Sequence, residues 1–137
     1  MKALIVEDDF ISRKIMMSLL SKYGECDVAS NGAEALEAFV IAMNEGKKYD
    51  LITLDIMMPD ISGHEVLKKI RKIEADNGLP ETCIIMTSAL HDGTSIMTAF
   101  KNQCNGYICK PISFDKIKEM LVNIGQIPPQ TTGAGLR

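Results

Sequence analysis

Short apolar runs alternate along the chain with longer stretches of helical period. The runs are Ala3 to Val6, Asp27 to Ala29, Leu51 to Leu54, Cys83 to Met86 and Gly106 to Cys109. Each is of strand length, and the pattern predicts five strands. Between them apolar residues recur at third or fourth positions: Ile11, Ile15 and Leu19; Leu36, Val40 and Met43; Val66, Ile70 and Ile73; Ile117, Leu121 and Ile124. Each set predicts one buried helical stripe. Asn31, Ser62 and Ser113 stand where the second, third and last helices would need caps, and Gly24 and Gly46 lie just past the first two. The segment from Asp92 to Lys101 is the weakest helix, with Thr94 or Ser95 as its expected cap and Ile96, Met97 and Phe100 as its expected inward face.

Strands that are nearly continuous apolar runs need cover on both faces. Together with the alternation of strand and helix, this predicts an α/β fold: a doubly wound, five-stranded parallel sheet with five flanking helices. The first and third runs are the most apolar and are expected at the centre, in the order 2-1-3-4-5. In such a sheet, ligands gather at the carboxyl ends of the strands. Residues 1–125 read as one domain. Gln126 to Arg137, with Pro128, Pro129, Gly133 and Gly135 and no periodic apolar pattern, reads as a disordered tail or linker.

A chain of 137 residues, 46% hydrophobic and 24% charged, suits one domain with a buried core. The formal charge of -3, without clustered Lys and Arg, argues against direct nucleic-acid binding. Cys26, Cys83, Cys104 and Cys109 are scattered, which suits reduced core thiols better than zinc binding or thiol exchange. The apolar start, ending at Val6, is too short for a signal peptide or a membrane span, so a cytoplasmic location away from membranes is expected.

The polar residues that follow the runs carry the chemistry. The first run leads into Glu7, Asp8 and Asp9, the third into Asp55, the fourth into Thr87-Ser88-Ala89 and the fifth into Lys110-Pro111. Acids crowded at one edge repel unless a cation neutralises them, and an all-oxygen set selects a hard ion, Mg²⁺ before zinc. Asp9, at a helix start, reads as a cap rather than a ligand. An acceptor carboxylate, a cation site, a hydroxyl and an ammonium are the parts needed to hold a phosphoryl group. His64 and His91 read as surface or loop residues without a catalytic part.

Val6-Glu7-Asp8, Asp55-Ile56-Met57-Met58-Pro59 followed by Gly63, Thr87-Ser88, Tyr107 and Lys110-Pro111 make the chain resemble the receiver domains of two-component response regulators, over Lys2 to about Gly125. The likeness is to the single-domain, chemotaxis-regulator type with its flavodoxin-like sheet, so the expected strand order rests partly on it. The resemblance implies that Asp55 is the phosphoacceptor. Asp8 would bind Mg²⁺ directly and Glu7 chiefly through water, with Asp55 and the backbone carbonyl of Met57 completing the set. Lys110 would pair with Asp55 and then with its phosphate, and Thr87 would hydrogen-bond a phosphoryl oxygen. Tyr107 would be the aromatic that swings inward when Thr87 moves. Lys110-Pro111 would be joined by a cis bond, and Pro59 and Gly63 would shape the loop after Asp55. The implied donor is a histidine kinase or His-phosphotransfer protein, the implied output a downstream protein target, and the implied state a monomer or weak dimer.

On this reading Asp55 attacks phosphorus in line to form an acyl phosphate, needing no general base because a carboxylate is ionised at neutral pH. The chain would catalyse its own phosphorylation and dephosphorylation while serving mainly as a switch. The new charge would bias the fourth helix, the loop before it and the fifth strand. Met57 and Ala89, both non-polar and two residues past Asp55 and Thr87, imply slow self-dephosphorylation. The alternative is a receiver cut from a hybrid kinase or a regulator with an output domain, although Met1 directly before the first strand favours a natural amino terminus. A Mg²⁺-dependent phosphatase with an aspartyl nucleophile would want a second acid where Met57 stands. A flavin binder would want a Ser/Thr-Gly loop after the first strand and aromatic rings to sandwich the flavin.

Overall fold

The computed structural model describes residues 1–89 and 92–129. Five strands, β1 (Lys2–Val6), β2 (Glu25–Ala29), β3 (Leu51–Asp55), β4 (Cys83–Ser88) and β5 (Gly106–Cys109), alternate with five helices. These are α1 (Phe10–Leu20), α2 (Gly32–Asn44), α3 (Gly63–Asp76), α4 (Gly93–Lys101) and α5 (Phe114–Asn123). All pairings are parallel and the order is β2-β1-β3-β4-β5, as the sequence pattern and the family resemblance together predict.

Strand alternation divides the core into two layers. Leu4, Val6, Ile52, Leu54, Ile84 and Met86 face one way and pack with Phe39 of α2 and Leu67 and Ile70 of α3. Ala3, Ile5, Leu51, Ile85 and Ile108 face the other way and pack with Leu20 of α1 and Leu121 of α5. Followed to the carboxyl end of each strand, the second set ends on a polar residue in β1, β3, β4 and β5, with Thr53 between Leu51 and Asp55 in β3. That parity places Glu7, Asp55, Thr87 and Lys110 on one face at one end of the sheet.

Three expected stripes are displaced. In α1 the buried residues are Met16, Leu19 and Leu20, while Ile11 is 67% exposed and Ile15 39%. The helix starts beyond the carboxyl edge of the sheet, so its first turns have no strand to cover. In α2 the inward line is Gly32, Ala35, Phe39 and Ala42, and Leu36, Val40 and Met43 flank it half-buried. Small residues let the helix sit close to the sheet and pull the contact line round. In α4 only Ser95 and Ala99 are buried; of the expected inward face Ile96 is half-buried, while Met97 and Phe100 are exposed.

The caps at Asn31, Ser62 and Ser113 form as expected, accepting from the amides of Glu34, His64 and Lys116. The cap of α4 is Asp92 rather than Thr94 or Ser95, its carboxylate accepting from the Ser95 amide at 2.6 Å. Asp9 caps α1 by accepting from the Ser12 amide. All four cysteines are free, with Cys83 and Cys104 buried. No helix among the described residues is long and apolar enough to cross a membrane. Gln126 and Ile127 remain tied to α5 through the Leu121 carbonyl, and residues 130–137 of the expected tail lie outside the described residues, as does His91.

A polar network at the other end of the sheet gives no sign in the sequence pattern. Buried Arg71 pairs with buried Glu74 at 2.7 Å and also reaches the Gln103 carbonyl and the Asn105 side chain, while Glu74 accepts from the Thr82 amide. These bonds fasten the turn between α4 and β5 to α3 and to the start of β4. Each buried charge is thus partnered, which burial demands.

Candidate functional site

Ligand atoms of Glu7, Asp8 and Asp55 lie within 4.8 Å of one another. Glu7 and Asp55 are buried and Asp8 is exposed at the rim. Asp55 and Thr87 are direct partners across β3 and β4, so their side chains leave the sheet side by side. The Lys110 ammonium stands 3.0 Å from Glu7 Oε1 and 3.5 Å from Asp55 Oδ2. The five groups expected to converge do converge, although Lys110 leans more on Glu7 than on Asp55.

The backbone explains the placement. The Lys110 amide donates to the Ser88 carbonyl at 2.7 Å, extending the β4–β5 pairing so that the side chain clears the edge. The Lys110–Pro111 bond is cis, as the resemblance implies. The Ile56 amide donates to the Thr87 carbonyl and the Gly63 amide to the Ile56 carbonyl, which closes the loop after Asp55. A Cβ at Gly63 would collide with the Asp55 carbonyl and Ile56 Cα, so this glycine is needed for close approach to the backbone of Asp55.

Two supporting residues escape a reading of motifs. Asp60 caps the start of α2 from a distance, its two oxygens accepting from the Gly32 and Ala33 amides at 3.0 and 2.9 Å. That clamp ties the loop carrying Met57 to a neighbouring helix. Arg13 donates from Nη1 to the Glu7 carbonyl at 3.0 Å and steadies the end of β1. An acid five residues after Asp55 is a faint signal for the first; the second has none, because its partner is a backbone atom.

Electrostatics departs from the expectation that Asp55 is simply ionised. Burial, then the neighbouring charge of Glu7, pushes its carboxyl up to about 7, while Lys110 and the Met57 amide pull less strongly in the other direction. Lys110 is held above its usual value: burial opposes its charge, but the bond to Glu7 and the charges of Asp55 and Glu7 outweigh it. The acids thus hold more negative charge than one lysine balances. A hard divalent cation fits this all-oxygen donor set.

Tyr107 and His64 lie on the other face. Tyr107 is half-buried, and its hydroxyl is 3.4 Å from Ser95 Oγ. His64, expected as a surface or loop residue, instead sits in the first turn of α3, half-buried, with Nε2 3.2 Å from the same Ser95 oxygen. Met57 is 58% exposed at the rim of the acid site, and Ala89 is exposed as well. A separate cavity of about 560 Å³, lined in part by Tyr49, Glu81, Thr82 and Gln126, opens at the amino end of the strands, away from the acids.

The family model of the response regulator receiver domain matches residues 3–122. The chain belongs to that family. Chemotaxis protein CheY1 of Helicobacter pylori is 34% identical over 123 residues, which cover 88% of this chain and 94% of that protein. Hybrid signal transduction histidine kinase L of Dictyostelium discoideum is 36% identical over 126 residues, covering 91% of this chain but only 7% of the kinase. Among solved structures, the receiver domain of Ssk1 in complex with the histidine phosphotransfer protein Ypd1 of Saccharomyces cerevisiae has a TM-score of 0.78 and 29% identity, covering 92% of this chain and 89% of that one. The CheX-CheY-BeF3-Mg²⁺ complex of Borrelia burgdorferi has a TM-score of 0.77 and 25% identity, covering 90% and 88%. This receiver domain therefore has relatives of two kinds, some of about its own length and some far longer. A receiver domain serves phosphorelay in two-component signalling, and the acidic cluster is where the family binds Mg²⁺.

Proposed function

We propose that the chain accepts a phosphoryl group from a partner's phosphohistidine onto Asp55 and alters a partner-binding surface in response. The observation that carries this is the shared parity and shared sheet end of Glu7, Asp55, Thr87 and Lys110, with Asp8 at the rim. Glu7, Asp8, Asp55 and the carbonyl of Met57 would hold Mg²⁺. When bound, the ion neutralises charge on the acids and on the transferring group.

An oxygen of Asp55 attacks phosphorus in line, the P–N bond to the donor imidazole breaks, and the leaving nitrogen keeps the bonding pair. Lys110 pairs with one phosphoryl oxygen and the Thr87 hydroxyl donates to another. Because Lys110 already rests on Glu7, the transfer asks it only to redistribute its bonds over a few ångströms. Pulling Thr87 toward the phosphate biases α4 and β5, with Tyr107 as the packing element that follows. The small buried area of α4, Ser95 and Ala99 alone, suits a helix that shifts easily.

The likeness to Ssk1 bound to Ypd1 supports a phosphotransfer protein or histidine kinase as donor, and the chemotaxis relatives support a protein target as output. The 7% coverage of the hybrid kinase favours a second arrangement, in which the same domain works inside a longer regulator. Incubation with acetyl phosphate and Mg²⁺ should add the mass of one phosphate, and Asp55→Asn should abolish the shift. An unchanged shift in that variant would remove Asp55 from its role.

A further inference from the structure

Ser95 is one of only two buried residues of α4, and its hydroxyl stands between two side chains from other elements. His64 Nε2 of α3 is 3.2 Å away and the Tyr107 hydroxyl of β5 is 3.4 Å away. A hydroxyl has one proton to give and two lone pairs to offer, so Ser95 can serve both neighbours at once. With so little apolar burial beneath α4, polar contacts make up a large share of what docks it.

The imidazole also has a second, unmatched nitrogen: His64 Nδ1 is buried without a hydrogen-bond partner. A protonated ring would carry N–H groups at both positions and leave a charged donor unpaired inside the protein. Burial accordingly holds the His64 pKa below its ordinary value, with Asp92 at the cap of α4 pulling weakly the other way. Among the described residues, the titratable groups around the ring are that carboxylate and, across Ser95, the Tyr107 phenol. His64 directly follows Gly63, whose backbone abuts the carbonyl of Asp55, so the ring is one residue from the phosphoryl loop.

We propose that His64 is a positioning residue of this domain: through Ser95 it holds α4 and Tyr107 in the arrangement described above. Treating that arrangement as the resting state of a switch rests on the proposed function, but the contact and its test need no phosphate. In the unmodified chain at neutral pH, His64→Phe should speed amide exchange across residues 93–101 roughly fivefold, the loss expected from one such bond, and Ser95→Ala at least as much, with α5 unaffected. The double variant should exchange no faster than Ser95→Ala alone. Proton NMR should show the His64 ring titrating below 6.5, with α4 amides and Tyr107 signals moving at the same midpoint and losing that transition in His64→Gln but keeping it in His91→Gln. Unchanged exchange in the single variants, additive effects in the double variant, or α4 signals that ignore the His64 titration would overturn the proposal. An Asp55 that fails to take phosphate would count against its role as phosphoacceptor instead.

Discussion

The Lys110 ammonium lies closer to the carboxylate of Glu7, at 3.0 Å, than to that of Asp55, at 3.5 Å. One cation thus spans two acids that belong to the proposed metal site, and it competes with any ion placed there. Replacing Lys110 by Ala should therefore tighten Mg²⁺ binding in the unphosphorylated chain by roughly tenfold, a modest fraction of the Coulomb energy at this range. The same change should weaken the effect of phosphorylation on α4, because the phosphoryl group loses its ammonium partner. Calorimetric titration of Mg²⁺ checks the first part and amide exchange over residues 93–101 the second.

Protons compete with the metal as well. Because the Asp55 carboxyl is raised to about 7, its neutral form is favoured below that pH and its charged form above it. In the metal-free fold this group supports stability fully below its unfolded value and loses that contribution as pH rises through 7. Mg²⁺ binds the ionised form, so its apparent affinity should fall by up to about tenfold per pH unit below 7 and level off above it. Titrations at several pH values check this; an affinity that does not change between acid and neutral pH would contradict it.

Gly63→Ala should be more harmful than its small size suggests. The added methyl would meet the Asp55 carbonyl and Ile56 Cα, which are backbone atoms in a closed loop with little room to yield. A loss of about 1–3 kcal/mol in urea unfolding is expected, together with slower phosphorylation as Asp55 is pushed from its place.

Met57 stands 58% exposed at the mouth of the acid site and offers nothing that could orient water. Hydrolysis of the acyl phosphate should be slow in the natural chain and faster in Met57→Asn, where an amide could align the attacking molecule. Phosphate release followed after removal of the donor checks this. A half-life of seconds in the natural chain would contradict it.

Much of this site can be read from the chain because strand parity is strict. Glu7, Asp55, Thr87 and Lys110 each sit one step beyond an apolar run, and period two carries them to the same face once the strand order is known. Helix faces are less legible. Ile11 and Ile15 look like core residues but lie where the sheet has ended, and Met97 and Phe100 face solvent because Ser95 and Ala99 let α4 approach closely. Period 3.6 tells that a stripe exists, whereas its rotation depends on which small residues meet the neighbour. The Arg71–Glu74 pair and the Asp60 clamp stay hidden for another reason: their partners are mostly backbone groups and side chains distant in sequence.

The most direct test is to locate the phosphate chemically. After treatment with acetyl phosphate and Mg²⁺, borohydride reduction converts an aspartyl phosphate to homoserine, which peptide mass spectrometry can place. Conversion at residue 55 alone, absent when Mg²⁺ is chelated, is the expected result. Conversion elsewhere in the chain, or none at residue 55 despite a bound phosphate, would contradict the assignment.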